Sequence, residues 1–268
     1  MKHIVHFFKG IIIGIATLVP GVSGGTMSII LGVYNEMIRA VSSFFKNIKG
    51  NIIFLGTLGI GGVVGIFGFS KIVEFCLDNY MLPTVYLFLG IILGGIPILY
   101  QKANQKKGHK IDWLYFIGGF ALILVMTFYK GNLVNLAGST GILNVIFLII
   151  AGIIIAVALI LPGISTSFLL LTLGLYDITI KAINNIELNY LIPIAIGALI
   201  GVITTTKILE KLLNEKPRQT YLLILGFVLG SIIEVFPGIP TNMNIIFSII
   251  TLVIGYVIIR YISKKYSD

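Results

Sequence analysis

Apolar stretches of about 17 to 25 residues recur from one end of the chain to the other, the length needed to cross a hydrocarbon core roughly 30 Å thick, and short polar loops separate them. Two places break this rhythm, at Pro20-Gly21 and Pro162-Gly163. The arms around the first, roughly Ile4 to Val19 and Gly25 to Ile38, are each shorter than the ~20 residues of a full span. A re-entrant helical hairpin fits such arms. Pro20 has no backbone N–H with which to continue a helix, and Gly21, Gly24 and Gly25 permit a tight reversal. Irregular backbone persists at membrane depth only where protein or a wet cavity satisfies it.

The two breaks belong to an internal repeat. Displaced by 142 residues, the segment Gly10 to Thr26 matches Gly152 to Phe168, with Pro20, Gly21 and Ser23 on Pro162, Gly163 and Ser165. The same displacement carries Gly32, Tyr34, Arg39 and Ala40 onto Gly174, Tyr176, Lys181 and Ala182. Further on it drops to 136, and Gly61, Gly65, Lys71, Glu74, Gly90 and Gly94 fall on Gly197, Gly201, Lys207, Glu210, Gly226 and Gly230. The predicted fold class is therefore an all-α integral membrane protein of two repeats, each a hairpin plus three transmembrane helices. The first unit covers 1–130, with its hairpin at about 4–43 and spans at about 51–76, 83–100 and 112–129; the second covers 131–268, with its hairpin at about 143–183 and spans at about 190–212, 219–236 and 245–262.

Loop charge tests that topology, because Lys and Arg collect on the cytoplasmic side. With both breaks read as hairpins and both termini cytoplasmic, sixteen of the nineteen Lys and Arg lie inside, and only Lys71, Lys130 and Lys181 lie outside. A single broken span would instead export the Lys102 to Lys110 cluster. Three true spans per unit make the second repeat enter from the opposite face, an inverted arrangement shared with many secondary transporters.

Composition closes other routes. A chain 57% hydrophobic and 11% charged, with a mean hydropathy of +1.05, cannot hide its apolar surface in a water-soluble fold, and the spans leave no room for a soluble catalytic domain. Lys2 to Lys9 ahead of an apolar run resembles a signal peptide, but the run passes through Pro20-Gly21 into more apolar sequence and is read as part of the mature protein. One cysteine, Cys76, excludes an internal disulfide, and His3, His6 and His109 offer no metal-ligand spacing. No cofactor or metal is expected. The net charge of +9 comes from short loops beside spans, where it sets orientation rather than binding nucleic acid.

The chemistry then falls to the hairpin tips. Val22-Ser23-Gly24-Gly25-Thr26 and Ile164-Ser165-Thr166-Ser167 each open a descending helix with free N–H groups and hydroxyl donors, a constellation suited to an anion such as phosphate. Small residues there also serve close packing, as in Gly61xxxGly65 and Gly90xxxGly94; hydroxyls at matching positions in both repeats are what packing alone leaves unexplained. Charge is sparse in the spans. Glu36 and Arg39 sit three apart, Lys71 with Glu74 recurs as Lys207 with Glu210, and Glu234 has no basic neighbour in sequence. Interfacial ion pairing accounts for such pairs, and proton handling is the functional alternative for Glu36, Glu74, Glu210 and Glu234. No Ser/His/Asp set or acidic Mg²⁺ cluster can be assembled.

The motif Pro20-Gly-Val-Ser-Gly-Gly-Thr26 followed by Gly32-Val-Tyr34, echoed by Pro162-Gly-Ile-Ser165 and Gly174-Leu-Tyr176, resembles the bacterial polyprenyl-phosphate transporters of the PopT type over nearly the whole length. That resemblance implies a flippase of the bacterial cytoplasmic membrane that returns undecaprenyl phosphate to the inner leaflet for cell-wall precursor recycling, using the proton motive force. It implies that Ser23, Gly24, Gly25, Thr26, Ser165, Thr166 and Ser167 hold the phosphate, with Arg39 as charged helper and the tail left in lipid. Two rivals stand beside it. Membrane undecaprenyl-pyrophosphate phosphatases share a Pro-Gly-x-Ser turn but place an arginine after the serine, where this chain has Gly24 and Thr166, and their paired-glutamate motif is matched only loosely by Glu74-Phe-Cys-Leu-Asp78. A carrier of small soluble anions would use the same tips and need no lateral opening.

Overall fold

The computed structural model describes residues 2–19, 22–106, 108–128 and 141–266, so the Pro20-Gly21 turn and Lys130 lie outside the described residues. Among the described residues the regular structure is helical. In chain order the α-helices are α1 Lys2–Thr17, α2 Gly24–Ile30, α3 Tyr34–Ser42, α4 Ile48–Asn104, α5 Trp113–Phe128, α6 Ile142–Ile160, α7 Thr166–Thr172, α8 Tyr176–Asn184, α9 Leu188–Glu215, α10 Pro217–Val235 and α11 Met243–Tyr266. Six helical stretches, among the described residues, are long and apolar enough to cross a membrane: Ile48–Asn104, Lys110–Phe128, Ile142–Ile160, Leu188–Glu215, Pro217–Val235 and Met243–Ile262. The chain is a multi-pass membrane protein.

One expectation needs correction. The arm after each tip is not one helix. It ends after a single two-turn piece, α2 or α7, and restarts as α3 or α8. At both breaks a glycine takes the left-handed conformation, Gly32 at φ 72° and Gly174 at φ 70°. The N–H of the following residue returns to a carbonyl five back, Val33 to Ser28 at 2.9 Å and Leu175 to Leu170 at 2.8 Å, the bond that ends a helix at a left-handed glycine. The Gly32-Val-Tyr34 and Gly174-Leu-Tyr176 triplets are these stops. Within the hairpin expected at about 143–183, α6 has 19 residues and is long and apolar enough for a span by length and composition, whereas its counterpart α1 has 16 residues.

The spans expected at 51–76 and 83–100 run together as α4, 57 residues interrupted at Tyr80 (φ −138°, ψ 46°). Pro83 accounts for the interruption, since a proline removes an N–H and crowds the carbonyl one turn earlier. A straight helix of that length would measure about 85 Å, well beyond any bilayer.

Matching positions of the repeat make matching crossings. Gly10 on α1 meets Gly61 of α4, and Gly152 on α6 meets Gly197 of α9; a methyl on Gly61 would strike the Phe7 carbonyl oxygen, and one on Gly197 the Ile149 carbonyl oxygen. Beyond Tyr80 the halves exchange partners. Gly90 and Gly94 of α4 seat α11, at Leu252 and Tyr256, while Gly226 and Gly230 of α10 seat α5, at Phe116 and Ile123. These approaches bring backbones together without a side chain between them, which is how helices associate where lipid supplies no hydrophobic drive. Each half thus holds the last helix of the other.

One charged knot secures the end of α4. Arg218 donates through Nε to Asp112 Oδ2 at 3.1 Å and through Nη1 to the Asn104 side-chain oxygen at 2.6 Å, and Gln219 donates to Asp112 Oδ1 at 2.9 Å. It joins α4, α5 and α10. If the glycine crossings hold the fold, Gly61→Val and Gly197→Val should each destabilise the protein by about 1–3 kcal/mol, the usual cost of overpacking, and surface Gly56→Val, with open space around it, should not. Thermal unfolding in detergent micelles followed by tryptophan fluorescence and circular dichroism checks this.

Candidate functional site

The two tip segments meet in the interior. A methyl on Gly24 would lie 3.0 Å from the Thr17 methyl carbon of α1. Gly25 then abuts the second tip, where a methyl would lie 3.2 Å from Pro162 Cα. Gly163, in the left-handed region at φ 83°, lies so close to α10 that a methyl would come within 2.6 Å of the Phe227 carbonyl carbon. Only glycine meets both conditions.

Between the tips lies a cavity of about 860 Å³. Its polar lining consists of Thr17, Ser23, Ser165, Thr166, Ser167, Tyr176 and Thr206, with Gly24 and Gly25 exposing backbone, and its remaining walls are aliphatic, among them Leu18, Val41, Leu55 and Ile160. Among the described residues no charged side chain lines it. Ser23 is 8% exposed and its hydroxyl makes no helix-capping bond. By contrast, the Thr17 hydroxyl donates to the Gly14 carbonyl at 2.7 Å and Thr206 to the Val202 carbonyl at 2.7 Å. Ser23, whose hydroxyl is not spent on capping α2, lines the cavity wall.

The expected phosphate set divides on inspection. Ser23, Gly24, Gly25, Ser165, Thr166 and Ser167 come together on one cavity. Thr26 is buried beside them, 3% exposed, but does not line that wall. Arg39 lies elsewhere, in a polar crevice with Glu36, Lys46 and Glu210. None of the four carboxylates considered for protons lines the tip cavity. Glu210 accepts from the Ser42 hydroxyl at 2.5 Å, Glu234 is half-buried near the end of α10, and Glu74 is exposed. Thr17, Tyr176 and Thr206 were not picked out for the site from the sequence; the repeat had marked Tyr176, paired with Tyr34, without giving either a role.

The repeat-related tyrosines differ in setting. Tyr34 is fully buried and donates to the Ile160 carbonyl at 2.8 Å, across the two halves. Its neighbour Asn35 accepts from the Tyr221 hydroxyl at 2.9 Å, and Lys102 stands 5.5 Å over the Tyr221 ring. Tyr176 is only half-buried and faces the cavity, as does Leu18, the counterpart of Ile160. Likewise α3 packs on α9 through Ser42 and Glu210, whereas their counterparts Asn184 and Glu74 are both exposed.

With this geometry in view, comparison places the chain. A family model described as VCA0040-like, undecaprenyl phosphate translocase-like, matches residues 13–249. The chain belongs to that family. A polyprenyl-phosphate transporter of Staphylococcus aureus is 35% identical over 95% of this chain and 94% of its own, and one of Vibrio cholerae is 30% identical over 88% of this chain and 79% of its own. No solved structure matches. Membership of the undecaprenyl phosphate translocase-like family makes this a membrane transporter, and both relatives carry transporter names rather than those of the phosphatases weighed above.

The hydroxyls separate structural from available donors. Tyr34→Phe should cost about 1 kcal/mol by leaving a buried carbonyl unpaired, while Ser23→Ala should change stability by less than about 0.5 kcal/mol because no bond is lost. Paired thermal melts of the two variants read the difference.

Proposed function

We propose that this chain returns polyprenyl phosphate, undecaprenyl phosphate above all, from the outer to the inner leaflet of the bacterial cytoplasmic membrane for reuse in cell-wall precursor synthesis, driven by the proton motive force. The observation that carries the reading is the hydroxyl-lined cavity between the tips, with no charged side chain among its described lining residues, in a family named for that cargo. Ser23, Ser165, Thr166 and Ser167 bind the phosphate oxygens, aided by backbone N–H groups at Gly24 and Gly25, with Thr26 supporting the turn. Neutral donors suit a carrier, because a site has to admit its cargo and release it again. Arg39 acts from the neighbouring crevice, as a charge met on approach rather than at the tips.

The repeats are taken as inverted and their tips as re-entrant, with both termini cytoplasmic, which the loop charges support. Under that arrangement, contacts made in one half stand for one face of the membrane and their counterparts for the other. Here Tyr34 holds Ile160 and Ser42 holds Glu210. The opposite state forms Tyr176 to Leu18 and Asn184 to Glu74 instead, closing the cavity on its other side. Glu210 and Glu74 alternate between partnered and exposed positions, so they lead the four carboxylates as the proton-coupled groups, ahead of Glu36 and Glu234.

Proteoliposomes carrying labelled undecaprenyl phosphate test the reading. A proton gradient should speed leaflet exchange; Ser23→Ala with Ser165→Ala should slow it about tenfold or more, a loss of roughly 1.4 kcal/mol in binding or barrier. Glu74→Gln and Glu210→Gln should retain exchange and lose the response to the gradient. Release of inorganic phosphate from undecaprenyl pyrophosphate would revive the phosphatase, and exchange of inorganic phosphate in place of the lipid would favour the small-anion carrier. For the alternation, Glu74→Cys with Asn184→Cys in a Cys76→Ala background should cross-link only when cargo drives the second state; cross-linking indifferent to cargo would reject it.

A further inference from the structure

Resting on the lipid-phosphate reading, we propose that the crevice between α3–α4 and α9 is a binding site for the isoprenoid chain, the doorway through which the lipid tail leaves the tip cavity for the bilayer. The tip cavity is too small to house a polyprenyl chain: pockets of this size bury one drug-sized molecule. A second hollow of about 930 Å³ adjoins it, and the two share Val41 and Leu55 in their walls. Its opposite wall is α9, with Leu199, Val202 and Ile203.

Three features make a lipid chain the occupant. The wall leading from the shared residues is aliphatic, so it offers a chain dispersion and burial but no donor to a soluble anion. It opens sideways, since Leu199 is 64% and Ile203 49% exposed on a membrane-spanning helix, where exposure means contact with acyl chains. Its far end carries Lys46, Lys207 and Lys211 with Glu210 and Glu215, and lysines on a span reach for the head-group level. The crevice therefore runs from the phosphate cavity to the membrane interface along the lipid-facing side, which is the course a tethered head group requires.

The test is photo-cross-linking of the full chain in lipid nanodiscs with a polyprenyl phosphate carrying a benzophenone in place of one of the isoprene units nearest the phosphate. Label mapped by mass spectrometry should fall on peptides holding Val41 and Leu55 and on Leu199 to Ile203. Excess unlabelled undecaprenyl phosphate should suppress it, and inorganic phosphate should not. Val41→Trp and Leu55→Trp, each filling the passage, should lower labelling about tenfold, in keeping with the burial of one or two isoprene units. Competed label confined to another helix face would overturn the doorway and leave the transport reading standing. Label that no polyprenyl phosphate competes would overturn both. Mapping on the unmodified chain decides the matter even if a tryptophan variant fails to fold.

Discussion

Backbone that leaves the helix inside a membrane has to be covered by protein, because the hydrocarbon offers it no partner. The two tip segments impose that requirement twice, and the structure meets it by bringing them together at Gly25 and Pro162, with Gly163 pressed on α10 and the Ile160 carbonyl taken by Tyr34. The cavity is a consequence. Two irregular segments facing each other cannot fill space as closely as helices do, and their small hydroxylated residues leave a polar hollow with aliphatic walls.

Glycine makes the surrounding bundle possible. At Gly10, Gly61, Gly152 and Gly197, and again at Gly90, Gly94, Gly226 and Gly230, helix backbones approach at distances a Cβ would forbid. The exchange of α5 and α11 between halves ties the two repeats into one body. The charged contact of Asp112 with Arg218 lies at the end of α4, away from the cavity.

The likeness of the halves and their difference carry separate information. Equal sequence spacing makes equal crossings, yet Tyr34 is buried and bonded where Tyr176 is not, and Glu210 is held where Glu74 is exposed. Two similar units in unlike settings are what a carrier needs to offer one site to either side of a membrane.

Much of this was legible in the order of residues. Long apolar runs dictate membrane helices because burying a backbone in lipid leaves few alternatives, and Pro-Gly with flanking hydroxyls marked both tips; six of the seven expected tip residues line the cavity. The repeat even signalled the Gly32 and Gly174 stops, whose meaning emerged only with their left-handed angles. The placement of Arg39 and Glu36 in a separate crevice, the turning of Thr26 away from the wall, the choice of Thr17 and Thr206 as lining, and the inequality of Tyr34 and Tyr176 were decided by tertiary structure. Local sequence determines where a helix breaks, because backbone sterics and hydrogen bonding act over a few residues; which face each broken piece shows to the other half depends on contacts more than a hundred residues apart.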